Sequence, residues 1–323
     1  MRFDLSGYRH LHVEPAAGSL GAEIGGVDVS RPIGPEVQAE IRRAFLAHKV
    51  LFFRGQTLDP TTLGQFSHLF GEPTIPPQAV PLPGHPYVSR IVREANVPST
   101  VRNVGDRWHS DQSPRAEPSL TFLLYCVEAP DYGGDTMFTS LAAAYAALPE
   151  DLRARCDGLT VIHSASGVFG KSDGSPGKDN RPLFHAGIAA DAAARERTQA
   201  ILDVETEHPL VRVLPETGER CLYVTGDYCV RIKGMDAEES AQLLKRLHAH
   251  ATRPEFTCRL RWRSGTLAVL DNRCTMHYAI NDYAGFRREM LRTETGGERP
   301  MSIADYARLD GRPASRLRMP EGA

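Results

Sequence analysis

The chain has 323 residues, 41% of them hydrophobic and 24% charged, with a net charge of -2. That length buries a sizeable core as one large domain or two small ones, and the near-neutral balance argues against nucleic acid or an anionic membrane surface as the main partner. No apolar run approaches the roughly 20 residues of a membrane-spanning helix, and the opening MRFDLSGYRH lacks the apolar stretch of a signal peptide.

A cytoplasmic protein is therefore expected. Its six cysteines, scattered without a C-x-x-C pair, are expected to be reduced, buried thiols. Residues 19–29 read as strand and turn broken by glycines. Over 34–48, Val37, Ile41 and Phe45 recur every four residues, which predicts an amphipathic helix. The run VLFFRG at 50–55 fits a short buried strand, and Asp59 is placed to cap a second helix reaching Phe70 and stopping at Gly71. The Pro-rich span 73–98 is expected to form lid-like loops.

Residues 120–127 are a further apolar strand, and 140–148 a short Ala-rich helix. The segment 168–181, dense in Gly, Ser, Asp and Lys, reads as a mobile loop. Asp236 and Glu239 make a capping-box-like start to a helix ending near Ala251. Two strands follow, 256–262 and 266–270, joined by a Ser-Gly turn. Arg259, Arg261 and Arg263 alternate with Cys258, Leu260 and Trp262, so the arginines read as the wet face of the first. Short strands dominate. The pattern favours a mainly β fold, an antiparallel sandwich or barrel with helical additions, over a parallel βαβ series. One domain is expected over 1–300, and the Arg-, Pro- and Ala-rich tail 301–323 is expected to pack loosely.

The informative segment is WHSDQ at 108–112. His109 and Asp111, two apart on extended chain, project onto one face. With one distant His they match the 2-His-1-carboxylate facial triad of non-haem iron(II) sites. Three ligands on one face of an octahedron leave three positions for a bidentate 2-oxo acid and O2. Alone the H-x-[DE] pattern is weak, because 12 His and 40 acidic residues in 323 positions give about 1.5 chance matches. The chain holds two, and His12-Val13-Glu14 has no companion motif and reads as surface. His109-Ser110-Asp111 has support downstream, in LDNRCTMHYAINDYAGFRREMLR. There His277 follows a strand and turn, Arg288 comes eleven residues later, and Arg292 four beyond that. Arg288 and Arg292 share a strand face by parity, and a guanidinium fork binds carboxylate bidentately. An ordinary ion pair from Arg288 to Asp282 or Glu289 is the competing reading. GGDTMF at 133–138 places the Thr136 hydroxyl after a sharp turn, and a plain turn before a strand competes there.

Taken together, WHSD, the GGDT threonine twenty-five residues after Asp111, DNR before His277, and the His-x10-Arg-x3-Arg series resemble the taurine dioxygenase family, which includes the phenoxyalkanoate herbicide dioxygenases. The match covers about residues 22–300. The stretches REAN, VIHSASGVFG, HATRPEFTCRLRW and CTMHYAINDYAG resemble its aryloxypropionate-cleaving branch most. The resemblance implies a double-stranded β-helix (jelly-roll, cupin-like) core. It implies Fe(II), 2-oxoglutarate and O2 as cofactors, with ascorbate as an expected stimulant, and succinate and CO2 as products. It assigns iron to His109, Asp111 and His277, and 2-oxoglutarate to Thr136 and Arg288. Arg292 is assigned to the substrate anion or to the co-substrate carboxylate near iron.

Taurine enzymes carry an Asn where Gly105 stands and a His near Thr74, so a bulkier, less polar anion than taurine is expected, with Gln112, Ser113 and Pro114 reshaping the pocket mouth. Val80, Leu82, Phe169 and Tyr223 are candidate pocket liners, each of a type more often found simply in the core. The favoured reaction is hydroxylation beside an ether oxygen of an aryloxyalkanoate. Alternatives are a natural-product tailoring hydroxylase, an alkylsulfonate or alkylsulfate dioxygenase, and, from a different class, a zinc hydrolase using the same ligands. A homo-oligomer is expected, with no nucleic-acid or membrane partner.

Overall fold

The computed structural model describes residues 3–101, 105–169 and 191–309. The strand Val50–Phe53 shows how sequence dictates the layers, because all four of its side chains are buried. Successive residues point to opposite faces, so both faces of this strand must be covered. Val50 and Phe52 enter one core, and Leu51 and Phe53 enter another.

The strand lies inside a large sheet. Leu267–Asp271, Thr121–Glu128, Arg288–Thr295 and His85–Arg93 follow it in spatial order, each pair antiparallel. On its outer face lie the helices Pro35–His48 and Pro60–Ser67. Ile41, Phe45, Leu63 and Phe66 pack there with Leu51, Phe53, Leu123 and Leu291. The inner face is closed by a three-stranded sheet of Thr257–Leu260, Thr136–Ser140 and Thr275–Ala279. Between the sheets, Phe52 meets Phe138 with ring centroids 5.7 Å apart. Two antiparallel sheets face to face around one apolar core form the jelly roll. A third cluster joins the helix Ala237–Ala251 to Leu141–Ala146 and Glu150–Cys156 and to two smaller sheets.

Most expected elements lie within a few residues of their predicted limits. Asp59 and Thr62 form a reciprocal capping box, but the helix ends at Ser67 and continues as turns to Phe70. The lid expected over 73–98 is corrected in part, since His85–Arg93 is a nine-residue strand. The prolines misled because Pro73 and Pro81 lie in two-residue strands and the long ladder starts past Pro86. Pairing with Arg288–Arg292 uses Ser89 to Arg93, beyond Pro86, where every residue has an N–H to donate. Val168 and Phe169 fall in the helical turn Ser166–Phe169, and 170–181 lie outside the described residues. Of the expected tail, Met301–Ser302 pairs with Val211–Val213, and Ser302 caps the helix Ile303–Ala307; residues 310–323 lie outside the described ones. Arg259, Arg261 and Arg263 are exposed and Cys258, Leu260 and Trp262 buried, as their alternation implied. No helix among the described residues is long and apolar enough to cross a membrane.

Phe138 is fully buried where the two sheets meet. Phe138→Ala is expected to cost about 3–5 kcal/mol through lost burial and the cavity left behind. Denaturant unfolding measures this, and a loss below about 1 kcal/mol would contradict the two-sheet core.

Candidate metal centre and its anion pockets

His277 lies on Thr275–Ala279, opposite Phe138 of the neighbouring strand. His109 belongs to no named strand, yet it forms a single antiparallel bridge with His277. The His109 N–H donates to the His277 carbonyl at 3.1 Å, and the His277 N–H donates to the His109 carbonyl at 2.9 Å. Residues that exchange both bonds lie directly opposite, with side chains on the same face. The two imidazoles are thereby brought together, ring centroids 4.1 Å apart. Asp111, two residues on, returns to that face. Its carboxylate oxygens lie 3.7 Å from Nε2 of each histidine, and the donor atoms of all three residues lie within 4.8 Å of one another.

These residues fit a metal ion. Two donors each about 2.1 Å from one ion stand at most about 4.2 Å apart, so the set needs only a small contraction. Asp111 Oδ2 is buried with no hydrogen-bond partner in the protein. An orphaned carboxylate oxygen is costly, and a cation satisfies it. Burial would raise the Asp111 pKa, but Arg292, His277 and His109 outweigh it and hold the carboxyl below its ordinary value. Burial, aided by His109, pushes His277 down to about 3, so its ring is neutral, as a ligand must be.

Neighbouring groups fix the orientations. His109 Nδ1 lies 2.7 Å from the Arg107 carbonyl, which can only accept, so Nδ1 carries the proton and Nε2 offers its lone pair. Asn272 clamps the Asp111 backbone. Its Oδ1 accepts from the Asp111 N–H at 2.8 Å, and its Nδ2 donates to the carbonyls of Asp111 at 2.8 Å and Ser119 at 3.0 Å. Ser110 Oγ donates to the Thr275 carbonyl at 2.7 Å. Further back, His208 Nε2 lies 2.9 and 3.0 Å from the carbonyls of Ser113 and Arg115. Burial, with Arg212 nearby, pushes His208 down to about 4 and keeps it neutral.

Both predicted arginines lie on Arg288–Thr295, where parity puts 288, 292 and 294 on one face. Arg292 reaches Asp111 Oδ2 at 3.8 Å, and its guanidinium carbon stands 4.2 Å over the Phe122 ring. Arg288 is 9% exposed and faces aromatic rings, with Trp262 at 5.6 Å and Tyr283 at 5.7 Å. The ion pairs that competed for it do not form. Asp282 accepts instead from the Gly134 N–H at 2.7 Å, and Glu289 pairs with Arg287 and Arg90. Trp262 Nε1 donates to Thr136 Oγ1 at 2.9 Å, so Thr136, Trp262 and Arg288 form one patch. The turn before Thr136 requires glycine at 133, where φ is +75° and a Cβ would meet the Asp282 carbonyl oxygen at 2.7 Å.

The other candidates scatter. Gly105, with φ +78°, runs against His109, and a Cβ there would stand 3.0 Å from the His109 ring. Val80 is half-buried in the loop where Gln78 Oε1 accepts from Gln112 Nε2 at 3.1 Å. Leu82 packs on the core beneath the outer helices rather than at the triad. Phe169 ends a helical turn that contacts the turn Gly226–Tyr228. Tyr223 is fully buried in a cluster of His163, His208 and Arg212. His12 and Glu14 are exposed on the strand His12–Pro15, far from any companion ligand. Sequence reading missed Trp262, Asn272 and Glu294 as members of the site. Parity with Cys258 and Leu260 placed Trp262 inward, and the DNR tripeptide flagged Asn272, but nothing local marked Glu294. That side chain is fully buried beside Arg292, 3.4 Å away, and burial raises its pKa to about 7 in spite of that neighbour.

Residues 12–293 match the family described as taurine catabolism dioxygenase TauD, TfdA family. The chain belongs to that family. An alpha-ketoglutarate-dependent sulfate ester dioxygenase of Pseudomonas putida is 37% identical over 299 residues, 91% of this chain and 92% of that one. An alpha-ketoglutarate-dependent 2,4-dichlorophenoxyacetate dioxygenase of Cupriavidus pinatubonensis is 29% identical, covering 85% of this chain and 94% of its own. A crystal structure of a taurine dioxygenase from Burkholderia xenovorans superposes with a TM-score of 0.74 at 37% identity, covering 92% of this chain and 94% of that one. The chain is thus a 2-oxoglutarate-dependent non-haem iron dioxygenase with Fe(II), 2-oxoglutarate and O2 as cofactors, which sets aside the zinc hydrolase. The resemblance to the aryloxypropionate-cleaving branch in particular gains no support from these identities.

Two outcomes follow from the geometry. Asn272→Ala frees the Asp111 backbone and is expected to weaken iron(II) binding by about 10–100-fold, read by metal titration; unchanged affinity would remove Asn272 from the site. Glu294, ordinarily near 4.5 and raised to about 7, resists ionisation, so its contribution to stability is present at low pH and lost as pH rises through 7. Glu294→Gln should raise the unfolding midpoint of the metal-free protein at pH 8, by up to roughly 3 kcal/mol, and barely move it at pH 5. Equal shifts at both would contradict the burial argument.

Proposed function

We propose that His109, Asp111 and His277 hold the iron, that Thr136 and Arg288 take the far carboxylate of 2-oxoglutarate, and that Arg292 takes the anionic group of a small organic substrate, a sulfate monoester by preference. One observation carries the proposal. A single strand face presents one guanidinium beside the Asp111 carboxylate and a second, four residues away, that meets no carboxylate among the described residues.

Iron bound at the triad would couple O2 reduction to oxidative decarboxylation of 2-oxoglutarate and deliver one oxygen atom to a substrate C–H bond. The protein's share is placement. Arg288 offers a planar two-pronged donor on a water-poor aromatic wall, with the Thr136 hydroxyl beside it. The Arg292 guanidinium stands over the Phe122 ring and within 3.8 Å of Asp111, so its charge is held against the triad. The substrate carbon next to the anchored anion is thereby presented to the metal. Hydroxylation of the carbon that bears an ester oxygen gives a product that collapses to an aldehyde and sulfate.

The sulfate ester dioxygenase relative supports this substrate class. Gly105 supports a substrate other than taurine, since its left-handed backbone and a Cβ position 3.0 Å from the His109 ring make it a strained place for an asparagine. The phenoxyacetate relative supports a second reading, an aryloxyalkanoate cleaved to a phenol and a 2-oxo acid. A cytoplasmic location belongs to the same proposal and is supported by six free thiols. So does a homo-oligomer, which light scattering would measure.

Under anaerobic conditions, iron(II) plus 2-oxoglutarate should give a visible absorption band. His109→Ala and His277→Ala should each abolish it, and persistence in either variant would overturn the ligand assignment. Arg288→Ala should raise the 2-oxoglutarate requirement at least about tenfold while moving that for substrate far less. In a panel of hexyl sulfate, 2-phenoxypropionate and taurine, hexyl sulfate should stimulate succinate formation most. A lead for 2-phenoxypropionate would replace the first reading by the second.

A further inference from the structure

Arg292 has the form of an anion receptor, but its charge is already answered twice. Asp111 Oδ2 lies 3.8 Å from it and Glu294 Oε2 3.4 Å. Asp111 is committed to the triad. Glu294 is not, and its surroundings are unusual for an acid. The side chain is fully buried, and Oε1 has no hydrogen-bond partner. From its own strand only Arg292 faces it. Asp111 of the triad acts on it, as do Arg115 and Ser119 from the segment that follows. Phe122 stands opposite it on one neighbouring strand and Thr74 opposite on the other. A buried carboxylate so weakly supported is not there for stability, since apolar side chains of similar size would serve better.

We propose that Glu294 sets substrate specificity by competing with the substrate's anionic group for Arg292. The inference rests on the reading of Arg292 as the substrate-anion receptor. An entering anion meets Arg292 with a carboxylate already beside it, and two anions on one largely buried guanidinium repel. Glu294 relieves the clash by taking a proton from bulk water, so the substrate anion enters together with one proton. This selects anions that stay charged at working pH and are too weakly basic to take that proton themselves, sulfate and sulfonate monoanions most completely. A neutral substrate gains nothing from the exchange. Glu294 acts through Arg292 and is a positioning residue.

The test uses the anaerobic complex with iron(II) and 2-oxoglutarate, reading hexyl sulfate, and separately inorganic sulfate, by the shift of the visible band. For the natural chain, affinity should fall by up to about tenfold per pH unit once Glu294 ionises. Calorimetry in buffers of different ionisation heat should count about one proton taken up. Glu294→Gln keeps the shape and removes the charge. It should bind both probes at least about tenfold more tightly at pH 8, with no pH slope and no proton uptake. A merely structural lesion would weaken binding, not strengthen it. Glu294→Thr, which also removes the charge, should show the same flat profile, so a folding defect in one variant does not decide the result. If neither variant binds either probe more tightly than the natural chain at pH 8, the proposal is overturned. Failure of the underlying reading looks different, because Arg292→Ala would then leave binding of hexyl sulfate intact.

Discussion

The site depends on two backbone hydrogen bonds between His109 and His277. A side-chain contact would leave the two imidazoles free to drift. A mutual backbone bridge instead fixes the distance and facing of two residues 168 positions apart in the chain, as a sheet fixes any opposed pair. Everything else at the centre is referred to that bridge. Asp111 returns to the same face by parity, and Asn272, next to the turn that leads into the His277 strand, holds the Asp111 backbone. The three candidate donors are therefore brought together by main-chain geometry.

How much of this was legible in the sequence varied with the kind of signal. The strands Val50–Phe53 and Leu267–Asp271 announced themselves as apolar runs because both of their faces are buried. The triad was legible only jointly, since His109-Ser110-Asp111 gained meaning from the spacing of Thr136, Arg288 and Arg292. The strand His85–Arg93 was hidden by the prolines before it and by Pro86, which stands outside its ladder with Arg288–Thr295. Glu294 was hidden for a different reason. A glutamate in a strand reads as solvent-facing, and only the tertiary fold shows it buried beside Arg292. Leu82 and Tyr223, named as candidate liners beside a core reading, are found packed in apolar and aromatic surroundings.

The molecule also carries a second buried charge system that is structural. Arg273 is paired with Asp271, Glu216 and Glu298, all but inaccessible to solvent. Burial would suppress its charge, but three carboxylates hold its pKa above the ordinary value. This network grips both sides of Asn272 and so keeps the clamp on Asp111 from shifting. Buried charge thus has two uses here. Around Arg273 it is closed and silent, and around Arg292 it is left unbalanced.

The strand Arg288–Thr295 acts as a ruler. Four residues of extended chain set the two guanidinium-bearing positions about 13 Å apart along the backbone, and neighbouring strands on both sides lock its register. A slip of one residue would turn both arginines out of the pocket together, so this strand cannot be lengthened or shifted to suit a new molecule. Variation is left to the surrounding loops, such as the one where Gln78 meets Gln112, while the measuring edge stays fixed.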